Sequence, residues 1–342
     1  MLTVRQQKIL NIIVGDYIQT AAPIASEMIA QDHNLGVSSA TIRNDVAQLE
    51  EQGYISRPHT SAGSVPLDMG YRIYVESIDE TEAHVAASTV GAFVRRRLLE
   101  AERDLDAWAT VSAQILAQMV GNLALATFPK APESRVKYLE LVYLQEFMTV
   151  LIVVMEQARL RKHLIRLPQP ISPSQAEMIG TKVRNQLMGL SRREIGTMDA
   201  VGLSPLEEEL VDATALILDE EDGKTYSPHY LDGLRNLLAQ PEFEAGDSVR
   251  AVINGIEDGT LVEAILGETP SGDTVRVVIG REHDGDLLWP LSVVLTHYGV
   301  PGKAQGVLGV IGPTRMEYLG TIASVRLLAS IMSEQIETVH GA

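Results

Sequence analysis

The chain has 342 residues and no cysteine, which excludes a disulfide framework, a thiol nucleophile and a thiolate metal site. Long apolar runs are missing as well. Stretches such as Leu151–Met155 fall far short of the roughly 20 residues that a membrane helix needs. The opening MLTVRQQKIL lacks the apolar core of a secretion signal, so a cytoplasmic location and no membrane partner are expected. Positive charge is scarce: 28 Lys and Arg stand against 45 Asp and Glu, a net charge of −17. A uniformly acidic surface repels polyanions, so binding to nucleic acid requires that the charge be unevenly placed.

Catalytic patterns are also thin. The eight histidines are scattered, without an HxxxH or HExxH pair, so zinc has no ligand set. No serine stands in a GxSxG elbow. The glycines at 306, 309 and 312 do not form the dinucleotide fingerprint; they fit a strand packed closely on the final helix. Asp219–Gly223 resembles half a calcium loop without its distal glutamate and reads as a solvated helix end. No catalytic residue, cofactor or metal site is therefore expected.

What the sequence does contain is a short, sharply bounded helix, VSSATIRNDVAQLEEQG from Val37 to Gly53. Ser38 is placed to cap its N-terminus, and Gly53 suits the left-handed position that ends a helix. Ile42, Val46 and Leu49 recur at helical spacing and make one narrow face apolar. The opposite face carries Ala40, Arg43, Asn44 and Ala47, with Ser39 and Thr41 at its edges. Ahead of it lie an amphipathic helix over 3–20, a turn at Ala21–Pro23, and a second helix from Ile24 to Asn34. Two short helices joined near a glycine form the helix-turn-helix pattern. Tri-helical fragments with no DNA role share that pattern.

The next residues narrow the choice. Tyr54–His59 and Ser64–Pro66 have strand character around a Thr60–Gly63 turn, which gives a β-hairpin directly after the third helix. That is a winged helix, in which the third helix enters the major groove and the hairpin tip follows the phosphates. Small hydroxyl residues and a glycine let backbone N–H groups come close to phosphate oxygens. His59, Thr60 and Ser61 are the expected tip donors, with Arg57 as the cation beside them. A solvated loop histidine is the plainer reading of His59.

Beyond Tyr71 the pattern is helical over 71–79 and 82–120, with Arg95, Arg96, Arg97 and Arg103 on a solvated face. Phe128–Pro132 breaks it. Three strands are expected at Val136–Leu144, Met148–Met155 and Ala158–Leu167. Three more are expected at Thr274–Gly280, Leu287–Thr296 and Gly306–Ile311, before a final helix from Thr314 to Glu337. Two triplets around a helical stretch predict one six-stranded antiparallel sheet split by a second module. Residues 204–269 hold sixteen acidic and three basic residues, so most of the charge imbalance is assigned to that insert, away from the winged helix. The fold class is α+β and multidomain.

Several runs resemble the HrcA family of heat-inducible transcription repressors: RQQKILNIIVGDYIQTAAPIAS, VSSATIRNDVAQLEEQGYISRPHTSAG, VPLDMGYR and the distant GVLGVIGPTRMEYLGTIASV. The resemblance implies a homodimer on double-stranded DNA, recognising an inverted-repeat operator upstream of chaperone genes, with a chaperonin as modulator and repression relieved by heat. It also implies a GAF-like sheet domain interrupted by a dimerisation insert. The resulting partition is a winged-helix domain over 1–76, a split GAF-like domain over 80–170 and 270–342, and a mostly helical insert over 171–269. Arg43 and Asn44 are the expected base readers. Ser38, Ser39, Thr41, Arg57, His59, Thr60 and Ser61 are expected to position the DNA backbone.

The chain departs from the family pattern where Ser64, Leu67 and Met69 replace the usual Arg, Thr and Lys, and where Thr20-Ala21 replaces Thr-Gly. Residues 1–76 hold five basic and eight acidic residues. The alternative to repression is a ligand-sensing GAF-like regulator whose winged helix docks a protein partner or a different operator.

Overall fold

The computed structural model describes residues 2–33, 35–59, 62–79, 91–100, 105–131, 133–156, 160–198, 202–222, 229–243, 246–270, 272 and 274–340. The protein is α+β and multidomain. It divides into two compact units, one of Met1–Phe128 with Pro228–Gly299 and Gly306–Ala342, the other of Pro129–Ser227 with Val300–Gln305.

The first unit opens with α1 (Val4–Thr20), whose N-terminus is closed by a reciprocal box between Thr3 and Gln6. The helix ends at Ala21, which takes the left-handed conformation at φ 52°. Helix α2 is shorter than expected, Ser26–Asp32. It starts late because Ile24 is in a β-bridge: its N–H donates to the Ser64 carbonyl at 2.9 Å, and Ser64 N–H returns the bond at 2.7 Å. Helix α3 spans Ser39–Glu51, with Gly53 past its end at φ 78°. Strands β1 (Ile55–Ser56) and β2 (Val65–Pro66) pair antiparallel, and α4 (Asp68–Glu76) follows. Ile9, Leu10, Ile13, Ile29, Ile42, Val46, Leu49 and Ile55 bury the core of this winged helix. Val4 and Met28, apolar residues of α1 and α2, are exposed.

Helices α5 (Gly91–Glu100) and α6 (Leu105–Val120) come next, and β3 (Leu123–Thr127) begins the sheet of the same unit. Strands β4 (Val136–Gln145), β5 (Met148–Met155) and β6 (Leu160–Arg166) then belong to the second unit, with α7 (Pro173–Leu187), α8 (Arg192–Ile195) and α9 (Pro205–Asp222). The chain returns to the first unit through β7 (His229–Asp232), α10 (Leu234–Leu238), α11 (Gly246–Glu257) and α12 (Thr260–Gly267). Strands β8 (Arg276–Ile279), β9 (Leu291–Val300) and β10 (Ala304–Pro313) and helix α13 (Tyr318–His340) complete it.

The expected single six-stranded sheet is instead two sheets. One has five strands in the order β7-β3-β10-β9-β8; the other has three, β4-β5-β6. Strands β3 and β7, which the sequence reading missed, supply what the late triplet lacked. All five residues of β3 are buried, so its apolar run shows no alternation and reads as the tail of α6. Strand β7 has only four residues, within an acidic stretch of helical pattern. The insert is therefore Pro129–Ser227, and it includes the early strand triplet, contrary to the 80–170 and 171–269 partition. The acidic run is shared between the units. Its later part includes Glu242, which meets Arg315 at 2.5 Å, and Arg315 donates to the Ile18 carbonyl of α1 at 3.3 Å. The charge is therefore not confined to an insert.

The glycines of β10 have a role other than contact with the final helix. A Cβ on Gly306 would strike the Tyr298 ring, and one on Gly309 would lie 2.7 Å from Leu295, both side chains of β9. Their absence lets those side chains lie flat across the sheet. In the second unit, α7 and α9 pack on one face of the three-stranded sheet, where Leu139, Leu141, Leu151, Val153 and Ile165 meet Ala176, Val183, Leu210 and Ile217.

Candidate nucleic-acid interface

The candidate site is the outer face of α3, and its orientation is set from behind. Ser38 caps the helix by accepting from the Thr41 N–H at 3.2 Å, and the two hydroxyls lie 2.9 Å apart. Ile42, Val46 and Leu49 anchor the apolar stripe. Two polar ties add to it. Arg5 of α1 donates from Nε and Nη2 to the buried Asp45 carboxylate at 2.6 and 3.2 Å, and this hydrogen bonding raises the Arg5 pKa above its ordinary value. Gln6 Nε2 donates to Gln48 Oε1 at 2.7 Å. Asp45 and Gln48 therefore fix the rotation of α3 about its axis, which apolar packing alone leaves looser.

The face turned away from these ties is exposed at Ser39, Ala40, Arg43, Asn44 and Ala47. Ser38 is exposed too, although its oxygen is already engaged as a cap, and Thr41 is half-buried beside it. Arg43 does not project freely. Its Nη2 donates to Glu27 Oε1 of α2 at 2.5 Å. Arg57 lies 3.3 Å from Glu50 near the C-terminal end of α3, so it leans back toward the helix. His59 is exposed and begins the wing turn, with its carbonyl accepting from Ala62 N–H at 2.9 Å. Thr60 and Ser61 lie outside the described residues.

Ser64, the first departure from the family pattern, is buried and held by its backbone bonds to Ile24. It takes no part in the outer surface, whereas Leu67 and Met69 are exposed. All four arginines of residues 1–76 are paired with carboxylates: Arg5 with Asp45, Arg43 with Glu27, Arg57 with Glu50 and Arg72 with Glu282. Sequence reasoning overlooked Glu27, Asp45 and Gln48 as parts of the site. Their partners lie 16, 40 and 42 residues away, so no local spacing marks them.

A capped helix pinned on its inner side and exposed on a short polar outer side, followed by a hairpin, defines a winged-helix regulator of the DNA-binding class. Residues 5–66 match the family model of the DeoR-like helix-turn-helix domain, and residues 106–322 match that of the HrcA protein C-terminal domain. The heat-inducible transcription repressor HrcA of Dehalococcoides mccartyi is 34% identical over 100% of this chain and 98% of its own. The repressor of the same name from Chloroflexus aurantiacus is 33% identical over 99% of this chain and 95% of its own. The chain belongs to the HrcA family of heat-inducible transcription repressors. A crystal structure of a hypothetical protein at 2.2 Å resolution shares the fold, with a TM-score of 0.60 and 22% identity over 98% of both chains. Among the described residues no helix is long and apolar enough to cross a membrane.

Proposed function

We propose that two copies of this chain bind an inverted-repeat operator upstream of heat-shock chaperone genes and repress them from the cytoplasm, without catalysis. The observation that carries this reading is the α3 face itself: exposed, polar, and held in rotation by Asp45 and Gln48 from behind. In this reading Arg43 and Asn44 address base edges, because their side chains offer the paired donors and acceptors that guanine and adenine need. Ser38, Ser39, Thr41, Arg57, His59, Thr60 and Ser61 position the DNA backbone.

The homodimer of this reading is supported by the surface of the second unit. Across its three strands, Val142, Val150 and Leu164 share one register row, and Val154 and Leu160 share another. All five are half-buried or exposed on the face opposite α7 and α9. Between these rows lie Glu140, Ile152 and Lys162. A two-fold partner would set Glu140 of one copy against Lys162 of the other, with apolar rows between. The dimerisation module is then Pro129–Ser227 rather than 171–269. Release by heat and maintenance by a chaperonin belong to the same reading and rest on family membership.

A footprint on the organism's own chaperone promoter tests it. Two protected half-sites about one helical turn apart, roughly 34 Å centre to centre, are expected. No protection at low ionic strength would contradict it.

A further inference from the structure

We infer that Glu27 is a positioning residue that sets operator specificity through Arg43, an inference that rests on the DNA-binding reading above. Glu27 is in the first turn of α2 and Arg43 in the second turn of α3, and the two meet at 2.5 Å through one nitrogen, Nη2. Their side chains are 69% and 58% exposed. The fold therefore does not require the pair for packing, and an exposed ion pair of this kind adds little to stability.

Placed on a DNA-reading face, the same pair has a definite consequence. A guanidinium carries five N–H donors, and guanine takes two of them in one plane. The carboxylate engages one proton of Arg43 Nη2; the second Nη2 proton and its neighbour on that edge, Nε–H or Nη1–H, remain available to a base edge. An arginine without this partner would swing to the nearest phosphate, which every sequence presents equally. Glu27 thus penalises indiscriminate phosphate contact more than the base contact. Arg57 is paired likewise with Glu50, so the arginines nearest the groove are both restrained. The net effect is a surface that binds DNA weakly at random sequence and keeps its discrimination.

The test compares wild type, Glu27→Gln, Glu27→Asp, Arg43→Ala and the Glu27→Gln/Arg43→Ala double variant. Each is titrated against the inverted repeat and a scrambled duplex over a range of salt. Glu27→Gln is expected to tighten binding to the scrambled duplex about two- to five-fold while operator binding changes less, so the preference narrows. The salt slope on scrambled DNA should steepen by about one unit. Glu27→Asp keeps the charge but shortens the reach, so it should release Arg43 in part, with a smaller narrowing of the preference and a smaller change in slope. With Arg43 absent, Glu27→Gln should act equally on both duplexes. Equal tightening on both duplexes with Arg43 present would reduce Glu27 to a bystander charge and overturn the inference. Wild-type protein with no preference for the repeat would instead overturn the DNA-reading assignment, and this inference with it.

Discussion

Arg72 and Glu282, 210 residues apart in the chain, meet as a two-pronged ion pair that fastens the winged helix to the five-stranded sheet. Arg72 Nε donates to Glu282 Oε1 at 2.7 Å, Nη2 donates to Oε2, and Nη2 also reaches the Val277 carbonyl at 2.7 Å. Close by, the Asp68 carboxylate accepts from Arg281 N–H at 2.9 Å, and the Tyr71 and Tyr318 rings lie 6.1 Å apart. Burial pushes both phenols above their ordinary range. The orientation of α3 is thereby referred to the sheet as well as to α1.

Arg72→Lys should be nearly as damaging as Arg72→Ala. A lysine is a point charge and cannot engage both carboxylate oxygens and the Val277 carbonyl together. Urea unfolding is expected to give a loss of about 1–2 kcal/mol for the alanine variant, with less than half recovered by lysine. Full recovery by lysine would mean that charge alone matters at this junction.

Ala21→Gly should stabilise the protein. Ala21 sits at φ 52°, where a Cβ is strained and glycine is not. A gain of roughly 0.5–1 kcal/mol in thermal or chemical unfolding is expected, since relief of strain exceeds the added freedom of the unfolded chain. A loss of stability would contradict that conformation.

Gly70→Ala should be strongly destabilising. A Cβ there would run into the Tyr54 carbonyl and lie 3.5 Å from Leu10 Cδ1, both fixed parts of the winged-helix core. A penalty of about 1–3 kcal/mol is expected, with loss of operator binding at temperatures the wild type tolerates. Wild-type melting and binding would show that α4 packs less closely on the hairpin.

Ile152→Asp should leave the chain folded and monomeric. Ile152 is on the solvent side of the central strand of the β4-β5-β6 sheet, between Glu140 and Lys162. Sedimentation should report a single copy, and affinity for the full repeat should fall toward that for one half-site. An intact dimer would move the interface elsewhere.

The local parts of this structure were legible in the sequence. The Ser38 cap, the Ile42–Val46–Leu49 stripe and the Gly53 stop are set within one helix, so spacing and residue type suffice to place them. The hairpin and the final helix were recognisable for the same reason. Two strands were not. Leu123–Thr127 is buried on every side and carries no period, and His229–Asp232 gains its strand character only by pairing with it. Missing both moved the boundary of the insert by some forty residues. On the candidate site, the exposure of Arg43 was legible from its spacing, but Glu27 and Asp45 enter through contacts between helices, which one-dimensional spacing does not encode.

The central claim is that the outer face of α3 reads DNA sequence, and Arg43→Ala tests it most directly. The variant and the wild type are titrated against the inverted repeat and a scrambled duplex from low to moderate salt. The wild type should favour the repeat and weaken steeply as salt rises, while Arg43→Ala, with its melting unchanged, should lose about 1–3 kcal/mol of that preference. An Arg43→Ala protein that still distinguishes the repeat as the wild type does would contradict the claim.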